Sequence, residues 1–161
     1  MDVTDRTHSD GGSRTAELWL RADVPHGADD RQARLHERAV ATDAFADVRT
    51  RLVPNRLGLE GVAVETPAGR DLRDAVEDVR RWATDAGVDV DAYFPVSEES
   101  SMIEDCDRRV VTFPSVAFLE YDADGLARVT PHVAGGRVVS VEARLDALVN
   151  DVEGELVVIE S

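Results

Sequence analysis

The sequence predicts a mixed α/β domain with the element order β-α-β-α-β-β-α, a mixed sheet flanked by helices. Three observations carry that expectation. Short period-two apolar runs alternate with helical apolar stripes, a late hairpin precedes the last stripe, and the chain has 161 residues of which 43% are hydrophobic. That length suits one domain with a real core, and alternation of strands and helices suits a sheet covered by helices.

The first strand is Glu17 to Asp23, with Leu18, Leu20 and Ala22 on one face. Val24-Pro25-His26-Gly27 breaks it, and Asp29 and Asp30 stand where a helix N-terminus favours negative charge. Leu35, Ala39 and Phe45 mark the apolar stripe of that first helix. Val48, Thr50 and Leu52 alternate with Arg49 and Arg51 in a second strand that Pro54 ends. Val62 and Val64 stand in a segment that reads as an edge strand or an ordered loop.

The clearest helix follows. Thr66 is its N-cap and Pro67 its first residue, Leu72, Val76, Val79, Ala83 and Ala86 form its buried stripe, and Gly87 stops it. Val88 to Val96 reads as a brief extended piece, and Ser97 to about Arg109 as a polar loop. Val110 to Tyr121 reads as one long strand, Asp122-Ala123-Asp124-Gly125 as a turn, and Leu126 to Val133 as the hairpin partner. Gly135-Gly136 turns the chain again, Ser140 caps a last helix carrying Val141, Leu145, Leu148 and Val149, and Glu155 to Glu160 reads as a short C-terminal strand. Residues 1–14 carry almost nothing apolar and are expected to be a disordered acidic tail, leaving 15–161 as the domain.

The charge balance is abnormal. Asp and Glu total 33, the basic residues total 18, the formal net charge is −15, and every basic residue is arginine. Such a surface suits the cytoplasm of an extreme halophile. At about 1 M salt the Debye length is near 3 Å, so like charges hardly repel, while salt strengthens apolar association. Arginine keeps its charge with weaker hydration than an ammonium group. On that background acidity is general, so the net charge leaves nucleic acid open as a partner. A single cysteine, Cys106, excludes an internal disulfide and any multi-cysteine metal site. No apolar run is long enough for a membrane span, and no leader motif is present, so a cytoplasmic location is expected.

Thr112-Phe113-Pro114-Ser115-Val116-Ala117-Phe118-Leu119-Glu120-Tyr121, followed by Asp124-Gly125-Leu126, resembles the second half of a thioredoxin-like domain. The resemblance implies a central strand opened by a cis Phe113–Pro114 bond, and a binding position in the first-strand loop around Val24 to Ala28. A trans bond there, or an edge position for this strand, would defeat the thioredoxin assignment and leave a generic α/β sandwich, with the first-strand loop no longer a favoured binding position. A ferredoxin-like α+β sandwich is the alternative fold. The chain departs from the thioredoxin-like pattern at the thiol, because Asp23-Val24-Pro25-His26-Gly27-Ala28-Asp29 holds no cysteine. The opening Glu-Leu-Trp strand, the Pro114 strand, the Asp-Gly turn and Pro131 also resemble a family of short proteins from halophilic archaea, sometimes labelled helix-turn-helix. Strand-like segments nevertheless separate all three expected helices, so no compact helix pair is expected.

The candidate sites are few. His26 lies in the loop where α/β sheets often place ligands. Arg49 and Arg51 share a strand face that can meet phosphate or an acidic partner, although pairing with surface carboxylates is the simpler role. Met102 and Ile103 stand in an acidic segment as anchors for a docked protein partner, with a solvated loop as the simpler reading. Pro114 marks the buried strand. Cys106 is surrounded by Glu104, Asp105 and Asp107, which oppose a thiolate. No metal or cofactor is expected: the histidines lack zinc spacing, and there is no nucleotide-binding glycine motif. The expectation is a non-catalytic binding or regulatory domain. The alternatives are a DNA-associated transcriptional regulator and, last, a monothiol redox enzyme using Cys106.

Overall fold

A computed structural model of the chain describes residues 14–25, 27–60, 65–101 and 106–149. Its central layer is a four-stranded mixed sheet in the order β2-β1-β6-β7. The strands are β1 (Thr15–Arg21), β2 (Asp47–Val53), β6 (Val116–Asp122) and β7 (Gly125–Thr130). β1 runs parallel to β2 and antiparallel to β6, and β6 pairs antiparallel with β7. The parallel pair is joined by helix α1 (Ala28–Ala41), as a parallel connection requires a crossover.

Alternate residues of β1 and β6 enter two separate cores. On one face, Ala16, Leu18, Val116 and Phe118 pack with Leu35 and Ala39 of α1 and with Val141, Leu145 and Leu148 of a third helix, α3, described over 141–149. On the other face, Trp19, Val53, Ala117, Leu119 and Val129 meet Leu72, Val76, Val79 and Ala83 of α2 (Pro67–Ala86). Because both faces are covered, Val116 to Leu119 are all buried, as the unbroken apolar run predicts. Trp19 is buried for the same reason, opposite the face that the period-two pattern marks as the core side.

α2 forms as the sequence indicates. Thr66 Oγ1 accepts from the Gly69 N–H at 3.0 Å, Pro67 opens the helix, and Gly87 closes it with φ 72°. Ala86 is exposed, so the buried stripe ends one turn early at Ala83. Ser140 caps α3 through its hydroxyl, 3.1 Å from the Ala143 N–H. Phe45 lies beyond α1 but still fills the same core.

The segment between α2 and β6 departs from the sequence reading. Instead of a polar loop over 97–109, β4 (Val96–Ser101) and β5 (Cys106–Thr112) pair antiparallel, and β3 (Arg56–Gly58) joins them in the order β3-β5-β4. Glu98 is the register partner of Arg109 and Glu99 that of Arg108, while Glu99 binds Arg56 of β3 and Arg109 sits 3.8 Å from Glu60, so opposite charges stabilise strands that a hydrophobic pattern cannot reveal. The expected long strand from Val110 to Tyr121 is two strands in two sheets, divided at Phe113-Pro114. Pro114 has no N–H to give to a ladder. Here the chain leaves one sheet, where the Thr112 N–H reaches the Pro95 carbonyl, and enters the other, where the Arg21 N–H reaches the Ser115 carbonyl.

The expected cis bond is also corrected. Phe113–Pro114 is trans, which suits a chain running onward from one sheet to the next; the cis X-Pro bond is Thr130–Pro131. β6 is nevertheless interior, between β1 and β7. The expected hairpin partner likewise stops at Thr130. Beyond Pro131, β8 (His132–Ala134) and β9 (Arg137–Val139) form a separate hairpin, turned at Gly135 and Gly136 with φ 58° and 79°. Three aromatic rings fasten the two larger sheets: Trp19, Phe94 and Phe113 meet edge to face at centroid distances of 6.0 to 6.3 Å.

Val62, Val64 and the expected strand at 155–160 lie outside the described residues, as does all of the expected tail except Arg14. Arg14 sits 3.6 Å from Glu120 and over the Phe45 ring.

Candidate functional site

Among the described residues, the sequence-predicted site residues do not converge. Arg49 and Arg51 do share a face of β2, beside Glu17 and Trp19 of β1. Pro114 lies next to Ser115, whose carbonyl is bonded at Arg21, the other end of β1. The four residues separating Glu17 from Arg21 span about 13 Å of extended chain. His26, Met102 and Ile103 lie outside the described residues, and so does the side chain of Cys106.

Arg49 enters the more open of the two places. It lines a cleft of about 400 Å³ with Thr15, Ala16, Glu17, Asp47 and Tyr121. The parallel pairing of β1 with β2 supplies four of these residues, and the antiparallel partner of Thr15 is Tyr121. Arg49 is bound by Asp47 at 3.1 Å, Arg51 lies 5.7 Å above the Trp19 ring, and the Trp19 indole donates to Glu17 at 2.9 Å. Burial, reinforced by Glu17 and Asp78 and opposed by Arg51, pushes the Tyr121 phenol up to about 12. The phenol therefore remains a neutral hydrogen-bond donor at any cellular pH. The expectation that the two arginines pair locally rather than present free cations fits Arg49; Arg51 is held by an aromatic face instead.

The second place is the junction of β1, α1 and β6, and it is filled. Arg31 of α1 grips Glu142 of α3 with two bonds of 2.5 and 2.9 Å, and its third nitrogen reaches Ser115 Oγ at 3.1 Å. That contact raises the Arg31 pKa and lowers that of Glu142, in both cases chiefly through the side-chain hydrogen bond. Gln32 is buried and donates to the carbonyls of Arg21 and Ser115 at 3.0 and 2.8 Å. Arg21 donates to the Phe113 carbonyl at 2.9 Å. Each donor here is satisfied by a neighbour across the junction, which ties two helices to the sheet.

Deeper on the same face, Glu120 is 1% exposed and receives two bonds from Arg144 of α3, at 2.8 and 2.9 Å. Sequence reasoning missed this pair, although one signal was present. Glu120 shares period-two spacing with Val116 and Phe118, and a carboxylate on a buried face requires a cation.

A family model described as a helix-turn-helix domain matches residues 8–153. The chain belongs to that helix-turn-helix domain family. No curated protein and no solved structure matches it. Within this member of the family, no two helices among the described residues are joined by a short turn. β2 and β3 separate α1 from α2, and six strands separate α2 from α3. Among the described residues no group of three or more His, Cys, Asp or Glu side chains is placed to hold a metal ion, and no helix is long and apolar enough to cross a membrane.

Proposed function

We propose that this chain is a non-catalytic regulatory domain that acts through its surfaces rather than through a reacting group. The observation that carries the reading is the filled junction of β1, α1 and β6. The strand order β2-β1-β6-β7, with α1 and α3 on one face and α2 on the other, supports a thioredoxin-like topology. In that topology this junction is where the reactive thiol belongs. The start of α1 carries Gly27, Ala28 and Asp29 where that thiol would stand, and one turn further on Arg31 and Gln32, with Ser115 of the β6 approach, are already bonded to neighbours. The trans Phe113–Pro114 bond is the outcome expected to defeat that assignment, so the proposed topology rests on strand order and helix placement alone, and the first-strand loop is no longer a favoured binding position.

The second reading is a DNA-associated transcriptional regulator, and the family description favours it. Of the seven arginines on the two long helices, Arg31, Arg38, Arg73, Arg80 and Arg81 sit on carboxylates and Arg70 on the Glu65 carbonyl, which argues against phosphate contact by all but Arg34. In this account the domain is cytoplasmic, and its lysine-free acidic surface is an adaptation to molar salt.

Affinity capture of the tagged chain from its source cells in molar KCl, with and without nuclease, separates the two readings. A stoichiometric protein that survives nuclease supports the regulatory domain. Recovery of specific DNA fragments by the isolated chain, with no protein companion, would replace it with direct DNA binding.

A further inference from the structure

The outer edge of β2 is open. Ala22 donates its N–H to the Val53 carbonyl at 2.9 Å. Along β2, therefore, the odd-numbered residues turn their backbone groups toward β1, and Val48, Thr50 and Leu52 turn theirs away from the sheet. Among the described residues, β2 pairs with β1 alone. The strand is seven residues long and contains neither proline nor a bulge to blunt it.

Apolar surface collects on the same flank. Leu52 is 70% exposed on the face that carries α1. Val40 of α1 is 50% exposed. Arg38 points to α3, where it meets Asp146, and Val40 follows it by two residues, or about 200° around the helix. Val40 therefore faces away from α3 and toward the β2 side. Among the described residues, two of the four large hydrophobic side chains that stand exposed thus border one unpaired strand edge.

We propose that this edge is the seam of a homodimer, in which β2 pairs antiparallel with β2 of a second copy to make one continuous eight-stranded sheet. The charge pattern selects the occupant. A two-fold axis at Arg49 makes Val48 and Thr50 a backbone-bonded pair, twice over. It sets Asp47 opposite Arg51 of the second copy, also twice, and Leu52 opposite Ala46. Each Arg49, on the axis, is already neutralised by its own Asp47 at 3.1 Å. Moving the axis to Thr50 instead sets Arg49 against Arg51 twice, a like-charge pairing that destabilises a ladder. An axis at Val48 sets Asp47 opposite Arg49 of the second copy, again twice, so the strand is complementary to itself in these two registers and not with the axis at Thr50. Molar salt favours this association, because it screens the net charge of −15 on each copy while leaving backbone bonds and apolar contacts in place.

The test is the mass of the full chain by sedimentation equilibrium in molar KCl, for the wild type and two variants. Thr50→Pro removes only an outward-facing N–H, at an edge position that tolerates proline. Leu52→Glu charges a side chain that is already in solvent. The wild type is expected at dimer mass. Thr50→Pro deletes two symmetry-related hydrogen bonds and should weaken association about tenfold or more, and Leu52→Glu should weaken it too. Both should keep the wild-type circular dichroism, and the wild-type melting curve when compared at concentrations where each chain is monomeric. A wild type that stays monomeric at every concentration overturns the proposal, as does a dimer that both variants leave intact. A monomeric full chain that dimerises when cut after Val149 also overturns it, and assigns the edge to the chain's own C-terminal residues.

Discussion

Removing Arg144 should strand a carboxylate inside the protein. Glu120 has a side chain only 2% exposed, and both of its oxygens are taken by Arg144, at 2.8 and 2.9 Å, from a guanidinium itself only 13% exposed. Breaking a buried pair by deleting one partner costs about 3–5 kcal/mol, because the remaining charge is left uncompensated. Arg14 stands 3.6 Å from the same carboxylate but is 43% exposed, so it offsets part of the loss and places Arg144→Ala near the lower end, about 3 kcal/mol. For a chain of this length that is a fall of about 10 °C in Tm. Replacing both partners, as Glu120→Leu with Arg144→Leu, should recover most of the loss, since an apolar pair of similar volume is often neutral. The assay is urea unfolding in molar KCl, where a buried pair is screened far less than an exposed one. A loss under about 1 kcal/mol for Arg144→Ala, or a double variant no better than the single, would refute the view that this pair fastens α3 to the sheet.

Two further outcomes follow from the same structure. The Tyr121 phenol, pushed up to about 12 chiefly by burial, binds its proton more tightly in the folded chain than in the unfolded one, where it titrates near 10. Its contribution is fully present below about pH 10 and is lost as pH rises toward about 12. Two units correspond to about 2.7 kcal/mol, which partial exposure cuts to about 1–2 kcal/mol, and Tyr121→Phe should flatten that alkaline slope in urea midpoints. If the acidic surface is a salt adaptation, the melting temperature should climb steeply from dilute buffer to molar KCl; a melting curve indifferent to salt would remove that reading.

The parts of the fold that were legible are those whose stabilising partners are local. α2 announces itself through the Thr66 cap, Pro67, the stripe from Leu72 to Ala83 and Gly87, all within one continuous segment. β4 and β5 were not legible, because Ser97-Glu98-Glu99 and Arg108-Arg109 look solvated until the pairing of Glu98 with Arg109 gives them a reason to be strands. Nor does the apolar run through Val110 and Phe118 say that its halves serve different sheets; only the proline between them hints at it. In β2 the alternation marked Leu52 as an inward residue, yet Val53 is the buried one, since the end of this edge strand is covered on the α2 side only. The candidate site divides in the same way. That Arg49 and Arg51 share a face follows from period two alone. Tyr121 joins Arg49 in the cleft because β6 pairs with β1 across a hundred residues of sequence, a relation that no local pattern carries.

The central claim is that the chain regulates through its surfaces and not through a reacting thiol. It is decided by capturing the tagged wild type and the tagged Cys106→Ser chain from source cells in molar KCl with nuclease present. Cys106→Ser should recover the same stoichiometric protein as the wild type. A folded, normally abundant Cys106→Ser chain that recovers none of it would contradict the account and assign the function to the thiol.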